Sequence, residues 1–245
     1  VNHANEFFKG AIAMGLDFRM GITNVVPKNA TGYGKFCSRV STNKNDSGGA
    51  DRFLLPSEQQ IFSSCIKNPP GYTGGHSPGE YGLINAKAAL TGHLPRAAND
   101  PTKFRKDAAI VFIILTDQIA AAVESVAGKA SKTCTLDSTT QAGVNNLLKP
   151  YVDLFTGVTD LEAVVSKFFI IGGVCSNKCN AMISHGYLEL MKLLGGQIAD
   201  VCQKNLQKTM QVFVNSIVAG SMPVKLDYMP ISSSLAVTVD GIVLK

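Results

Sequence analysis

Residues 107–118 read Asp-Ala-Ala-Ile-Val-Phe-Ile-Ile-Leu-Thr-Asp-Gln, and this stretch decides the fold. The seven residues from 109 to 115 are all apolar, and most are β-branched or aromatic. A strand with one solvated face would alternate apolar and polar side chains, whereas an unbroken apolar run is typical of a parallel strand covered on both faces. A buried helix segment is the alternative, and the short length and β-branched composition argue against it. The stretch therefore predicts a buried strand that leads into Asp117, at the edge where open α/β sheets bind their ligands.

The composition indicates a core-forming globular protein. The chain has 245 residues, of which 45% are hydrophobic and 17% charged, and it suits one large domain or two small ones. The net charge of +5 is spread along the chain without a dense basic run, so nucleic-acid binding has little support. No apolar run approaches the roughly 18 residues that a membrane span needs. The first residues have neither an initiator methionine nor a signal-peptide layout, which favours an internal piece of a longer protein or a processed form.

The six cysteines favour a disulfide-bonded, exported protein. Neither a CxxC motif nor a Cys/His cluster with zinc spacing occurs, so a structural metal site is not indicated. Unpaired thiols of a cytosolic protein are the alternative. The pairing stays open, and the expected local pair is Cys175 with Cys179. The six residues are Cys37, Cys65, Cys134, Cys175, Cys179 and Cys202.

Strand and helix patterns alternate along most of the chain, which indicates βαβ units and a mainly parallel sheet. Residues 1–220 are expected to form this α/β domain. Residues 221–245 are expected to form a small β extension or the start of a further domain, with a hairpin signal at Asp240-Gly241. Helices are predicted over 5–16, 56–65, 81–90, 118–130, 144–155, 186–194 and 206–218. Strands are predicted over 17–26, 109–115, 164–174, 197–202, 224–228 and 235–243, with short edge strands near 35–40 and 52–55.

Motifs of the common enzyme classes do not occur in the sequence. A serine hydrolase of the α/β type needs a GxSxG turn, and none is present. The glycine-rich loop at 71–79 lacks the Gly-Lys-Ser/Thr of a phosphate-binding loop. None of the histidines follows a predicted buried strand, so each is interpreted as a surface or loop residue, and the protein is expected not to be an enzyme. These histidines are His3, His76, His93 and His185.

An oxygen-ligand metal site is the chemistry that remains. Asp117 follows the predicted strand, and Ser77 and Glu80 lie at the start of a predicted helix that precedes it. Carboxylate and hydroxyl oxygens are the ligands that Mg²⁺ and similar hard cations accept. The alternative is that Asp117 and Ser77 simply cap helices, as aspartate and serine often do.

Taken together, these stretches resemble the von Willebrand factor A (VWA) domains, in particular the cysteine-containing VWA domains of bacterial surface proteins and lipoproteins. The resemblance covers roughly residues 1–220 and depends on the order and spacing of its pieces. It implies a doubly wound, Rossmann-like sheet with a metal-ion-dependent adhesion site (MIDAS) at its carboxyl edge. The stretches that carry it are 17–23, 75–90, 107–117, 168–174, 186–202 and 205–217.

The resemblance also implies a set of metal ligands on three loops. Asp117 matches the third-loop aspartate. The second-loop hydroxyl maps onto Ser77, with Thr73 as the fallback, and the cation would be Mg²⁺, Ca²⁺ or Mn²⁺. The Asp-x-Ser-x-Ser motif of the first loop does not occur near the start of the sequence, and neither does the central strand that precedes it in the family.

A sheet without its central strand would leave inner edges unpaired. We therefore expect the strand to come from an upstream segment of the same protein or from another subunit, with residues 235–244 as the weaker option. Direct pairing between the segment starting at Asp17 and the strand leading into Asp117 would refute this expectation.

The function implied by the resemblance is adhesion. We expect an exported, non-enzymatic module, secreted or on the outer face of a bacterial envelope, that binds a protein or glycan ligand through the metal. The alternative is a structural VWA-like subunit of a surface or appendage assembly with a degenerate, metal-free site.

Overall fold

The structure is a computed structural model, and it describes most of the chain in segments. The described residues are 2–28, 30, 32–40, 51–67, 80–93, 100, 110–130, 132–156, 165–175, 179–221, 237–239 and 242–244.

Three parallel strands form the main sheet in the order β1-β2-β3. They are β1 (Ile110–Leu115), β2 (Val165–Gly172) and β3 (Gln197–Asp200). Ile114 of β1 pairs with Ile170 of β2, which pairs in turn with Ile198 of β3. The prediction of a mixed α/β protein with parallel strands is confirmed, but β1 is buried only in part, because Ile113 and Leu115 are exposed. Among the described residues, however, β2 is the central strand, and β1 has a neighbour on one edge alone.

Seven α-helices surround or flank this sheet in the described part of the chain. Their ends follow local signals: Asp137 accepts a hydrogen bond from Thr140 N at 2.8 Å and so caps α5, and Gly195, with φ of 68°, ends α6 in the left-handed conformation. The helices are α1 (Asn2–Ala13), α2 (Gln59–Lys67), α3 (Gly82–His93), α4 (Glu124–Ala127), α5 (Ser138–Phe155), α6 (Tyr187–Leu194) and α7 (Gln207–Ser221).

Helices cover both faces of the sheet. On one face, Ile114 and Ile170 belong to a core built with α3, α5 and α6. On the other face, Phe169 and Ile171 pack with α1 and α7, and the rings of Phe169 and Phe213 stack with centroids 4.3 Å apart. Because strand side chains alternate between faces, the apolar runs supply both cores at once.

Two disulfides join segments that lie outside the main sheet. Cys37–Cys65 joins the loop after α1 to α2, inside a small core that includes Phe8 and Leu54. The expected Cys175–Cys179 pair is wrong, because Cys179 bonds to Cys202. The reason is topological: Cys179 follows β2 and Cys202 follows β3, and the carboxyl ends of neighbouring parallel strands lie at the same edge of a sheet.

The predicted strand over 17–26 is wrong. This segment forms a single antiparallel bridge between Met20 and Leu54, with N···O distances of 3.0 and 2.8 Å. Its next main-chain contact is Cys37 N donating to Ile22 O at 2.8 Å. The segment therefore pairs with loops and not with β1, and the short edge strands predicted near 35–40 and 52–55 are likewise loops.

The predicted helix over 118–130 is reduced to the single turn of α4, followed by a 3₁₀ turn (Gly128–Ala130). By contrast, α5 begins at Ser138, six residues before the predicted start at Val144. The capping aspartate at 137 explains this earlier start, because it satisfies the first free N–H groups of a polar helical turn.

At the carboxyl end of the chain, β4 (Val237–Val239) pairs antiparallel with β5 (Ile242–Leu244). This agrees with the predicted hairpin, although Asp240 and Gly241 lie outside the described residues, as does the predicted strand over 224–228. In the described segments, we find no helix with the length and hydropathy needed to cross a membrane.

Candidate functional site

The candidate site is built where β1 ends. Thr116 N continues the sheet by donating to Ile171 O at 2.9 Å. The Thr116 side chain is 3% exposed, and its hydroxyl forms hydrogen bonds with the N–H and the carbonyl of Gln118, at 3.2 and 3.1 Å. This tight turn directs the exposed Asp117 side chain toward solvent, while Asp117 O accepts from Met182 N at 2.9 Å.

The start of α3 lies against the same turn. Glu80 forms an isolated parallel bridge with Ala120. Its N–H donates to Ile119 O at 2.9 Å, and its carbonyl accepts from Ala121 N at 2.8 Å. A segment distant in sequence is thereby held beside the loop that carries Asp117.

Tyr187 holds the start of α3 in place through its side-chain hydroxyl. It is fully buried, and its hydroxyl donates to Glu80 O and accepts from Gly82 N, both at 3.1 Å. A side chain at Gly82 would place its Cβ 2.6 Å from that hydroxyl, so glycine is required for the close approach.

The loop between β2 and α6 completes the edge. Ala120 N donates to His185 O at 2.9 Å, and Ser184 Oγ accepts from Gly173 N at 2.8 Å. Gly186 has φ of 87°, and a Cβ there would lie 2.7 Å from Ala120 Cβ. Three loops therefore meet at the carboxyl edge of the sheet with direct main-chain contacts.

Glu80 is the unusual group of the edge. Its Oε2 atom is buried and has no hydrogen-bond partner in the described structure. Burial raises the pKa of the Glu80 carboxyl, a hydrogen bond with Thr116 opposes that shift, and the charge of Asp117 raises the pKa further. A buried carboxyl oxygen without a partner is costly unless a proton or a cation satisfies it.

Of the three residues predicted as metal ligands, the structure describes Asp117. Asp117 lies at the carboxyl edge as predicted, whereas Ser77 and Thr73 lie outside the described residues. The described segments hold no group of three or more His, Cys, Asp or Glu side chains arranged to share a metal ion. The carboxyls of Asp117 and Glu80, next to the Thr116 hydroxyl, nevertheless present the oxygen chemistry that hard cations prefer.

His185 was predicted to be a surface or loop histidine, and it lies in the loop between β2 and α6, but it is buried and not at the surface. It is 1% exposed, with Nδ1 3.0 Å from Glu189 Oε1 and Nε2 2.9 Å from Thr133 O. Both ring nitrogens are thus occupied, so the imidazole has no free nitrogen to act as a catalytic base. The spacing of His185 and Glu189 across one helical turn was the available sequence signal.

A cleft of about 480 Å³ lies elsewhere, between the segment around Lys28, α3 and α5. Tyr33 and Tyr151 line it, and Lys87 Nζ lies 5.6 Å from the centre of the Tyr151 ring. Its described lining residues include none from the carboxyl edge.

No protein-family model matches the chain, and comparisons with curated proteins and with solved structures find no match. The resemblance to VWA domains thus depends on the sequence stretches that carry it, and the site is interpreted from its own geometry.

Proposed function

We propose that the chain is an exported, VWA-like, non-enzymatic module that binds a protein or glycan ligand through a divalent cation at the carboxyl edge of its sheet. The Glu80 carboxyl oxygen supports this most directly, because it is buried without a partner beside Asp117. A cation there would satisfy the unpaired oxygen and lower the repulsion between the two carboxyls.

Each side chain has a defined part in the proposed site. Asp117, which is exposed, holds the cation from the solvent side, and Glu80 holds it from the protein side. The resemblance adds the hydroxyl of Ser77 or Thr73 as a further ligand. A bound Mg²⁺, Ca²⁺ or Mn²⁺ supplies the positive centre that an acidic group of the partner completes.

The edge of β1 away from β2, which pairs with no strand among the described residues, supports a further part of the proposal. Ile113 and Leu115 are 36% and 54% exposed, although both belong to a strand of apolar residues. Parallel strands of this composition are ordinarily covered and paired on both sides. We propose that a strand from outside the described residues pairs with this edge, as the VWA topology requires.

The cysteine chemistry supports export. Cys37–Cys65 and Cys179–Cys202 are bonded in the structure. Disulfides persist in oxidising compartments and are rare in the cytosol. They are therefore compatible with an extracellular location, which we propose to be the bacterial cell surface or the external medium.

One observation favours the alternative, a structural subunit with a metal-free site. The Thr116 hydroxyl donates to Gln118 O and accepts from Gln118 N, so its proton and one of its two lone pairs are already used within the fold. In that case assembly would depend on surfaces other than the Asp117 edge.

Metal titration tests the adhesive proposal. With Mn²⁺, Mg²⁺ or Ca²⁺ at about one hundred times its dissociation constant, we expect stabilisation by about 2.7 kcal/mol, a rise in melting temperature of roughly 5–10 °C. Calorimetric titration of the chelator-treated chain should show saturable binding. Asp117→Asn and Glu80→Gln should each abolish the temperature rise.

Asp153→Asn is the matched control, because Asp153 forms an exposed pair with Lys149 on α5 at 3.1 Å and lies outside the site. It should bind the metal as the unaltered chain does. Equal metal responses in all four proteins, or no response in any, would reject the cation site and leave the structural alternative.

A further inference from the structure

Two cysteines remain outside the disulfides of the structure, and they lie together. Cys134 and Cys175 are both exposed free thiols. Although the residues are 41 positions apart in the sequence, Cys175 Sγ lies 3.5 Å from Cys134 O. The Cys175 thiol therefore contacts the main chain of the residue that carries the other free thiol, and proximity of two cysteines on different segments is the condition for a disulfide to form.

The segments that carry these thiols are held in place by other contacts. Thr133, next to Cys134, accepts a hydrogen bond on its carbonyl from His185 Nε2 at 2.9 Å. Cys175 lies three residues after the end of β2 at Gly172, and Cys179 is bonded to Cys202. Residues close to each thiol in the sequence are therefore attached to the rest of the fold by a buried hydrogen bond and by a disulfide.

We propose that Cys134 and Cys175 are joined in a third disulfide in the exported protein, so that the loop between β2 and α6 is fastened on both sides. The oxidant is a disulfide, either of small-molecule or of protein type. One cysteine thiolate attacks it and releases one of its sulfurs as a thiolate. The second cysteine then displaces the other sulfur, and the Sγ–Sγ bond forms. The two thiols lose two protons and two electrons, and the oxidant is reduced to two thiols.

The charges and burial around the two thiols influence how fast the disulfide forms and not whether it forms. Desolvation raises the pKa of the Cys175 thiol to about 11, the neighbouring Cys134 thiol adds to the shift, and Lys192 opposes it. Because the thiolate is the reactive form, oxidation should accelerate as the pH rises.

Peptide mapping of the full chain tests the proposal. The chain is refolded with reduced and oxidised glutathione, denatured, alkylated with N-ethylmaleimide and digested with trypsin. Cleavage after Lys178 separates Cys175 from Cys179, so the two cysteines are assigned without ambiguity. We expect peptide 168–178 to be linked to the peptide that starts at Thr133, with no alkylated cysteine. Alkylation of both Cys134 and Cys175, or linkage of Cys175 to Cys179, would overturn the proposal.

Variants provide a second readout. Cys134→Ser should leave one alkylated residue, Cys175, and should lower the melting temperature by roughly 5–15 °C relative to the oxidised chain. Cys175→Ser should do the same with Cys134 alkylated. An unchanged melting temperature in both variants would contradict a stabilising bond, and if neither variant folds, the peptide map of the unaltered chain decides.

Discussion

His185 and Glu189 form a buried ion pair. When Glu189 is ionised, its carboxylate and Thr133 O can only accept hydrogen bonds, so both ring nitrogens of His185 then carry protons. The Glu189 carboxylate also accepts from Gly186 N at the start of α6. The His185 ring thus links Glu189 of α6 to Thr133, in the segment before α5, close to the loops of the candidate site.

Loss of one partner should be costly, because the other charge would remain buried without compensation. For Glu189→Gln we expect the free energy of unfolding to fall by roughly 3–5 kcal/mol. The matched control is Glu6→Gln, which removes the exposed Glu6–Lys9 pair of 3.3 Å on α1 and should cost under about 1 kcal/mol. Urea denaturation of the three proteins measures both values, and similar losses in the two variants would contradict a special role for the buried pair.

At the scale of elements, β1 has two chemically different edges. Thr116 N donates to Ile171 O, so by the alternation of strand main chains the N–H groups of Phe112 and Ile114 also face β2. The N–H groups of Ile113 and Leu115 face the opposite edge, where no described residue pairs with them.

We therefore expect amide hydrogen exchange in β1 to alternate. In the chain alone, the amides of Ile113 and Leu115 should exchange on the order of ten-fold or more faster than that of Ile114. Residue-resolved exchange by NMR measures this, with the central strand β2 as the internal reference for full protection. Equal protection of all three amides would show that a strand already covers the edge in the chain.

The segment 17–26 shows what alternation reveals and what it leaves open. Ile22, Asn24 and Val26 are all buried, so the period of two in the sequence correctly predicts an extended chain with one inward face. Side-chain alternation does not specify the partner of the main chain, however. Here that partner is in part a side chain, since Asn85 Nδ2 donates to Val26 O at 2.6 Å.

The helix predicted over 118–130 failed for a related reason. Ala120 N and Ala121 N donate to His185 O and Glu80 O, both distant in sequence. These long-range bonds replace the local bonds of a helix, and propensity calculated from neighbouring residues does not include them.

At the scale of the whole molecule, the His185–Glu189 pair makes stability depend on pH. Burial lowers the pKa of His185, but hydrogen bonds with Glu189 and Thr133, together with the negative charge of Glu189, raise it by more. Burial raises the pKa of Glu189, but hydrogen bonds with His185 and Gly186 lower it by more. Each residue therefore stabilises the fold in its charged form.

The directions of the two pKa shifts define the pH range in which the ion pair stabilises the fold. The contribution of His185 is complete below its ordinary pKa of 6.5 and is lost as the pH rises through the raised value. The contribution of Glu189 to stability is complete above its ordinary pKa of 4.5. It is lost as the pH falls through the lowered pKa of Glu189 in the folded protein. The difference in unfolding free energy between the unaltered chain and His185→Gln should be largest between these limits. Urea denaturation at acidic, intermediate and alkaline pH measures it, and a constant difference would refute the pair.

The part of the candidate site that lies directly after a strand could be predicted from the sequence. Asp117 was identified because the apolar run before it is unbroken. The environment of Glu80 was not, because its buried oxygen results from packing between α3 and the loop after β1, which no local pattern encodes. The disulfide pairing was hidden for the same reason, since the order of neighbouring strands brings Cys179 to Cys202.

The buried hydroxyl of Tyr187 provides the protein with an optical marker. The chain contains six tyrosines and no tryptophan, so its near-ultraviolet signal is dominated by phenol groups. Burial raises the pKa of Tyr187 far above the ordinary value, and the charge of Glu80 adds to the shift. In an alkaline titration, the phenolate absorbance of this residue should therefore appear only when the contact between α6 and the start of α3 opens. The ultraviolet absorbance of the phenol that stabilises the carboxyl edge thus reports when the contacts of that edge are lost.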